Sequence, residues 1–394
     1  MPTTIQIAPP SLAFADDVLH FELLGTSFTG TEDPYEPTED NLSCYVQVWK
    51  KGTIEDEFLV ELRAPFSLKN KRAFFDLSSA LRLTTPPPNS GTLQGNIAVT
   101  TPGGDATYYL LHGQMFGSPA LPESSLTQSS DYHVISGATR YLQGLPTANV
   151  HYLHSMVSSS GKRIIKEVTR DEPGLAYFYC KNAETCAVNV RLEYSVGFEN
   201  VDLGTFNFFA GSINCLTVGW QQLRVEQFMI GSVSNLRYYI VQFTIDGTTY
   251  ERYCHLDLRS PDNERYIAYS NGIGGVEILR CFGDETISTS VTKSAFVRPR
   301  TASPNYRTGS IGTLSSGGHD IYEVNTGYYS RDYIMHLRQL LVASAWLVDR
   351  DRGDYYAISI LDDDLDIVSD GDDRYSLTIR YRTDEVPTFN TFNQ

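Results

Sequence analysis

Residues 265–283 read RYIAYSNGIGGVEILRCFG, and the way this stretch folds decides the class of the whole chain. Two short apolar runs, Tyr266 to Tyr269 and Val276 to Phe282, flank Asn271-Gly272-Ile273-Gly274-Gly275. Glycine and asparagine enter the left-handed backbone region at little steric cost, so the cluster predicts a tight turn between two strands. In the second run Val276, Ile278 and either Cys281 or Phe282 alternate with Glu277 and Arg280. A two-residue period belongs to a half-buried strand and not to a helix.

Working outward, the same grammar continues. Ala176 to Cys180, Ala187 to Tyr194 and Tyr238 to Ile245 read as strands, and Asp246-Gly247 supplies a hairpin turn before Thr248 to Leu256. The Ser- and Pro-rich stretch Pro119 to Ser130 marks a first boundary, and Arg298 to Gly318, rich in Ser, Gly, Thr and Pro, reads as a linker and marks a second. We therefore expect a β-sandwich-like domain over 1–120, a second β domain over 121–297 that contains the turn, and a linker plus α+β unit over 298–394. In the last unit Ile334, Leu337, Leu341, Ala345 and Val348 recur every three or four residues, which predicts one helix within 331–348, capped by Ser330. Tyr355 to Leu361 and Tyr375 to Arg382 read as strands, so one helix should lie on a small sheet. Thr26 to Asn41 and the acidic run Asp362 to Asp373 lack periodicity and read as exposed loops. The fold class is mainly β, with antiparallel sandwich-like domains and a small α+β C-terminal unit.

Composition narrows the function. Among 394 residues, 47 acids against 31 Lys and Arg give a net charge of −16, which disfavours attraction to nucleic acid or to an anionic membrane surface. No run approaches the roughly 18 uncharged apolar residues of a spanning helix. Asp16 and Asp17 interrupt the one apolar run near the N-terminus, so no secretory signal is expected and the protein should be made in the cytoplasm. Cys44, Cys180, Cys186, Cys215, Cys254 and Cys281 lack short paired spacings and are expected to be reduced, mostly buried thiols.

Asn271, Gly274, Gly275, Glu277, Arg280 and Gly283 resemble a segment of tail and baseplate-associated structural proteins of Bacteroidetes-type phages and prophages, in which a strand, a Gly-rich turn, an acid and a strand ending in Arg and Gly follow one another. Gly272 stands where Ser is usual, Val276 where an aromatic is usual and Ile278 where Thr is usual. Thr326 to Ser330, Tyr375 to Tyr381 and, more weakly, Phe75 to Arg82 extend the resemblance. It implies a noncatalytic virion subunit, a homo-oligomeric ring around the tail axis, and other tail proteins as partners. It also implies that Gly274 and Gly275 permit close backbone approach, and that Glu277 and Arg280 pair across the sheet or at an interface. A glycan-binding module facing the host surface, and behind it a β-scaffold glycan hydrolase, are the alternatives.

Catalytic and cofactor signatures break at essential positions. Gly272 to Glu277 begins like a dinucleotide fingerprint, but Glu277 occupies the place of its last glycine and no helix follows. Ser160-Gly161-Lys162 lacks the upstream glycine of a phosphate loop, with Met156 in its place. Counted from Asp366, a calcium loop would have Val368 at its third position and Leu377 where a bidentate Glu is needed. His151 with His154, and Cys254 with His255, form no zinc pattern, and Tyr328 and Tyr329 read as packing residues before sugar-stacking ones. No catalytic, cofactor or metal-binding residue is assigned, and Asn271, Gly274, Gly275, Glu277 and Arg280 form the candidate structural or interface motif.

Overall fold

The computed structural model describes residues 3–10, 12–29, 35–88, 97–138, 149–154, 164–259, 264–297, 311–349, 354–362 and 375–383. Its layering is legible from one strand, Leu175–Cys180, whose six residues LAYFYC are all buried. An uninterrupted apolar run is what a strand needs when both of its faces are covered. Ala176, Phe178 and Cys180 enter one core, and Leu175, Tyr177 and Tyr179 enter another. The strand belongs to a four-stranded sheet in the order Val150–Tyr152, Leu175–Cys180, Ser212–Thr217, Val99–Thr100.

The first core lies between this sheet and a five-stranded one, ordered Ile165–Val168, Thr248–Leu256, Leu236–Ile245, Glu184–Tyr194, Phe198–Phe208. The hairpin at Asp246-Gly247 forms as the sequence predicts, with both residues at positive φ and Ile245 paired with Thr248. The second core lies against a seven-stranded sheet ordered Val276–Cys281, Arg265–Ser270, Ala345–Asp349, Asp354–Ile360, Thr378–Thr383, Ile311–Asn325, Glu285–Val297. On the far face of that sheet sits the helix Arg331–His336, enclosing a further core with Ile267, Tyr269, Leu279, Ile334 and Leu337.

N-terminal to these layers, Thr4–Ile7, His20–Leu24 and Arg72–Asp76 form a three-stranded sheet. It packs on a larger sheet whose backbone is Leu12–Phe14, Tyr132–Ile135, Asp105–Phe116, Ser43–Lys50 and Glu57–Pro65. Most pairs are antiparallel, with Leu12–Phe14 on Tyr132–Ile135 and Ile165–Val168 on Thr248–Leu256 running parallel. The fold is mainly β, of the sandwich-like class. Among the described residues no helix is long and apolar enough to cross a membrane.

Sheet pairing crosses the expected domain limits. Tyr132–Ile135, beyond residue 120, completes the first sandwich, and Val99–Thr100 pairs forward with Ser212–Thr217. The limit at 297/298 falls within one sheet, because Ile267 to Tyr269 pair with Ala345 to Leu347. The stretch read as a linker is partly strand: residues 311–318 belong to Ile311–Asn325 and pair with Glu285–Val297, while 298–310 lie outside the described residues. Ladder hydrogen bonds come from the backbone, so Ser- and Gly-rich sequence forms a strand once a partner holds its register.

The predicted helix over 331–348 is also shorter than its apolar period suggests. Ser330 does cap it, accepting from the Tyr333 amide at 3.4 Å, but the α-helix ends at His336 and a 3₁₀ segment, Leu337–Val342, follows. Leu337 and Leu340, three apart and both fully buried, match a three-residue turn. Ala345 and Val348 are then taken by a strand, because Arg265–Ser270 needs a ladder partner on that side. The exposed-loop reading of Thr26 to Asn41 is modified likewise: Phe28–Thr29 pairs with Glu36–Pro37, and Ser27 is buried. Asp362 is buried and ion-paired with Arg380 at 2.7 Å, while the rest of the acidic run lies outside the described residues. All six cysteines are buried thiols. Burial pushes the thiols of Cys44, Cys180, Cys186 and Cys281 up to about 12, which keeps them protonated and unreactive.

Candidate functional site

The turn between Arg265–Ser270 and Val276–Cys281 is built around one side chain. Asn271 Oδ1 accepts from the amides of Gly275 at 2.8 Å and Ile273 at 3.2 Å, while its Nδ2 donates to the Leu153 carbonyl at 2.8 Å and to Glu277 Oε1 at 3.1 Å. Its side-chain amide therefore stands in for a turn of backbone, which is why Asn suits this place. Gly274 has φ +95°, and a Cβ there would lie 2.4 Å from the Ser136 carbonyl oxygen. A Cβ on Gly275 would meet the Leu153 carbonyl oxygen at 2.4 Å. The close approach that the resemblance implies for these two glycines is present, and it is made to other parts of the same chain.

Those parts come from three directions. The Ala138 amide donates to the Gly272 carbonyl at 2.6 Å, tying the turn to the N-terminal sandwich. Leu153 leads out of the four-stranded sheet, and Gln339, in the 3₁₀ segment, accepts from the Gly272 amide at 2.8 Å. A cleft of about 870 Å³, counting its open mouth, runs beside the turn between Asp16, Arg82, Pro86, Ser136 and Gln339.

Glu277 lies on the helix side of its strand. Oε2 accepts from His336 Nε2 at 2.9 Å and from the Tyr269 hydroxyl at 3.2 Å; Oε1 takes the Asn271 amide and faces His154 Nδ1 at 3.7 Å. Burial opposes the charge on Glu277, but the His336 imidazolium and the hydrogen bonds from both histidines outweigh it and hold the carboxyl well below the usual carboxylate range. Burial alone would lower His336, yet the Glu277 charge and hydrogen bond raise it. His154 is lowered, because there burial wins over Glu277. The Tyr177 amide donates to His154 Nε2 at 3.1 Å, which leaves the single proton of a neutral ring on Nδ1, facing Glu277. The cluster thus favours the charged form of His336 beside the Glu277 carboxylate and the neutral form of His154. Three donors, His336, the Tyr269 hydroxyl and the Asn271 amide, lie within hydrogen-bond distance of the carboxylate, and His154 stands farther off. The neighbouring cavity, about 420 Å³ with its mouth, is lined also by Lys166 and Arg252; Lys166 pairs with buried Glu172, and Arg252 donates to the Leu175 carbonyl at 2.7 Å.

Arg280 does not pair with Glu277. Side chains three apart on a strand point to opposite faces, so a direct pairing of the two within this strand is geometrically closed to them. Arg280 is 1% exposed and donates through Nη1 to Asp257 at 2.7 Å and through Nε to Glu264 at 2.9 Å, with the Phe282 ring beside its guanidinium. Burial opposes ionisation of Asp257, but hydrogen bonds from Arg259 and Arg280 prevail and keep it far below its ordinary range. The half-buried reading of Val276–Cys281 is corrected accordingly: both faces are covered, and its two charged residues are accommodated by buried partners. Tyr329 is buried and donates to the Arg280 carbonyl at 2.8 Å, whereas Tyr328 is 60% exposed.

Of the five candidate residues, Asn271, Gly274, Gly275 and Glu277 form one cluster, and Arg280 forms a second across the sheet. Sequence reasoning missed His154, His336, Asp257 and Glu264 as their partners, because these residues sit in no local pattern with the motif. Among the described residues no three His, Cys, Asp or Glu side chains converge as a metal site. Compared with known proteins, the chain matches no protein-family profile and no curated protein sequence.

Proposed function

We propose that this chain is a noncatalytic structural subunit of a bacteriophage tail, tail tip or baseplate, made in the host cytoplasm and retained in the virion, where it assembles with copies of itself and with other tail proteins. The observation that supports this reading best is the use of the resembling segment. Asn271, Gly274 and Gly275 join the N-terminal sandwich, the four-stranded sheet and the seven-stranded sheet at one point. Glu277 and Arg280 neutralise buried partners on either side. A segment committed to holding three layers in fixed register favours a protein that works through its shape.

Mass spectrometry of purified particles, followed by electron microscopy with density assigned to this chain, tests the reading. The expected result is a fixed copy number per virion in a closed ring about the tail axis. Absence of the chain from particles rejects it, and binding of the isolated protein to host polysaccharide on a glycan array would favour the adhesion reading instead.

A further inference from the structure

Arg252 stands at a position where the strand pattern calls for an apolar residue. On Thr248–Leu256 the alternate residues Tyr250, Cys254 and Leu256 enter the core between the four- and five-stranded sheets, and the two-residue period puts Arg252 on that same face. A charge so placed needs a partner, because an unmatched ion away from water is costly. Among the described residues Arg252 forms no ion pair. Its Nη1 donates to the Leu175 carbonyl at 2.7 Å, and the other N–H groups of the guanidinium have no acceptor there. What Arg252 does border is the cavity of about 420 Å³, counting its mouth, which it lines together with Tyr152, Ile164, Lys166 and Tyr333.

The other charges around this cavity are already matched. Lys166 pairs with Glu172, and Glu277 pairs with His336. Glu251 is next to Arg252 along the strand and so belongs to the opposite face, where Gln242 Nε2 at 2.9 Å and the Tyr253 hydroxyl at 2.8 Å donate to it. One guanidinium is left over, and with it one hydroxyl. Tyr152 is 6% exposed, and its hydroxyl has no hydrogen-bond partner. Burial raises that hydroxyl, with the Arg252 charge opposing, so it stays protonated within the field of the guanidinium. An unmatched planar fork beside an unused donor suits a carboxylate, whose two oxygens accept a pair of parallel N–H bonds and whose single charge balances the surplus. A doubly charged phosphate would exceed that surplus close to Glu277. Ile164 and Tyr333 offer apolar surface to the body of a small acid.

We infer that this cavity is a binding site for a small organic acid, with the carboxylate on the Arg252 guanidinium, the Tyr152 hydroxyl donating to it, and the body of the acid against Ile164 and Tyr333. The ligand neutralises a charge that the fold leaves unmatched, so its binding stabilises the folded chain. The inference goes beyond the assembly reading and does not depend on it.

Thermal melting and titration calorimetry of the full chain test it at about pH 7, where carboxylates are ionised. Sodium acetate, propionate and benzoate are compared with sodium chloride and sodium phosphate at matched ionic strength. At least one carboxylate should raise the melting temperature in a saturable way, and chloride should not. Arg252→Lys keeps the charge but loses the planar fork, and Tyr152→Phe removes only the hydroxyl; each should weaken carboxylate binding by about tenfold or more. Should Arg252→Lys not fold, Tyr152→Phe decides. Equal melting in carboxylate and chloride overturns the inference and leaves Arg252 to a water shared with Glu172, whose Oε2 is unpartnered and which lines a smaller cavity that Arg252 also borders. Carboxylate binding that the folded variants retain in full overturns it too, as does phosphate binding tighter than any of the three acids.

Discussion

Gly274 faces two separate demands, a left-handed backbone and a carbonyl oxygen where a side chain would stand. Gly197 faces only the first, with φ +84° and open space around it. Gly197→Ala should therefore cost about 1–2 kcal/mol of conformational strain, and Gly274→Ala clearly more, since Ser136 or the turn must also move. Urea unfolding of the two variants checks this, and equal costs would mean that the contact with Ser136 is not tight. Arg280→Met should destabilise by about 3–5 kcal/mol, because Glu264 and Asp257 lose the buried cation they share, with Arg259 alone left on Asp257. A loss below about 1 kcal/mol would contradict the buried triad. His336 gives a pH dependence of known sign. Its folded-state pKa is raised, so its pairing with Glu277 stabilises fully below about pH 6.5 and is lost as pH rises through the folded value. The stability gap between the native chain and His336→Gln should thus be wider near pH 6 than near pH 9 in denaturant titrations. His154, being lowered, contributes in the opposite sense and weakens the fold as pH falls below about 6.5, so the two must be varied separately.

The strand Leu175–Cys180 carries two cores on alternate residues. Leu175 and Phe178, both within 2% of full burial, point to opposite faces of their sheet. We expect Leu175→Ala to cost about 2–5 kcal/mol and Phe178→Ala about 3–5 kcal/mol, since each opens a cavity in a different interface. Equilibrium unfolding checks both, and a near-neutral result for either would mean that one face of the strand is not packed. The same logic explains why the element after Ser330 changes character. Its first turns pack apolar residues at helical spacing, whereas Ala345–Asp349 satisfies the open ladder of Arg265–Ser270, a demand arising from a strand distant in sequence.

The whole molecule is a stack in which the sheets share faces, so its parts should not fold independently wherever a sheet is divided. A chain ended at residue 297 keeps Arg265–Ser270 but loses its partner Ala345–Asp349, and exposes Ile267, Tyr269 and Leu279 from the helix-side core. It should be insoluble or lack a cooperative thermal transition, as read by circular dichroism and scanning calorimetry. A soluble fragment with a sharp transition would show that the seven-stranded sheet is not required by the layers beneath it.

Local chemistry was enough to determine the turn at Asn271 to Gly275, the hairpin at Asp246-Gly247, the Ser330 cap and the predominance of strands, because each depends on backbone preferences within a few residues. Strand burial on both faces was written in LAYFYC as an unbroken apolar run, but which layers would cover it was not. The partners of Glu277 and Arg280, the joining of Arg265–Ser270 and Ala345–Asp349 in one sheet and the strand inside a Ser- and Gly-rich segment were settled by tertiary structure. Ladder pairing and charge neutralisation act between residues brought together through space, and no periodicity along the chain encodes which histidine or which aspartate will arrive there.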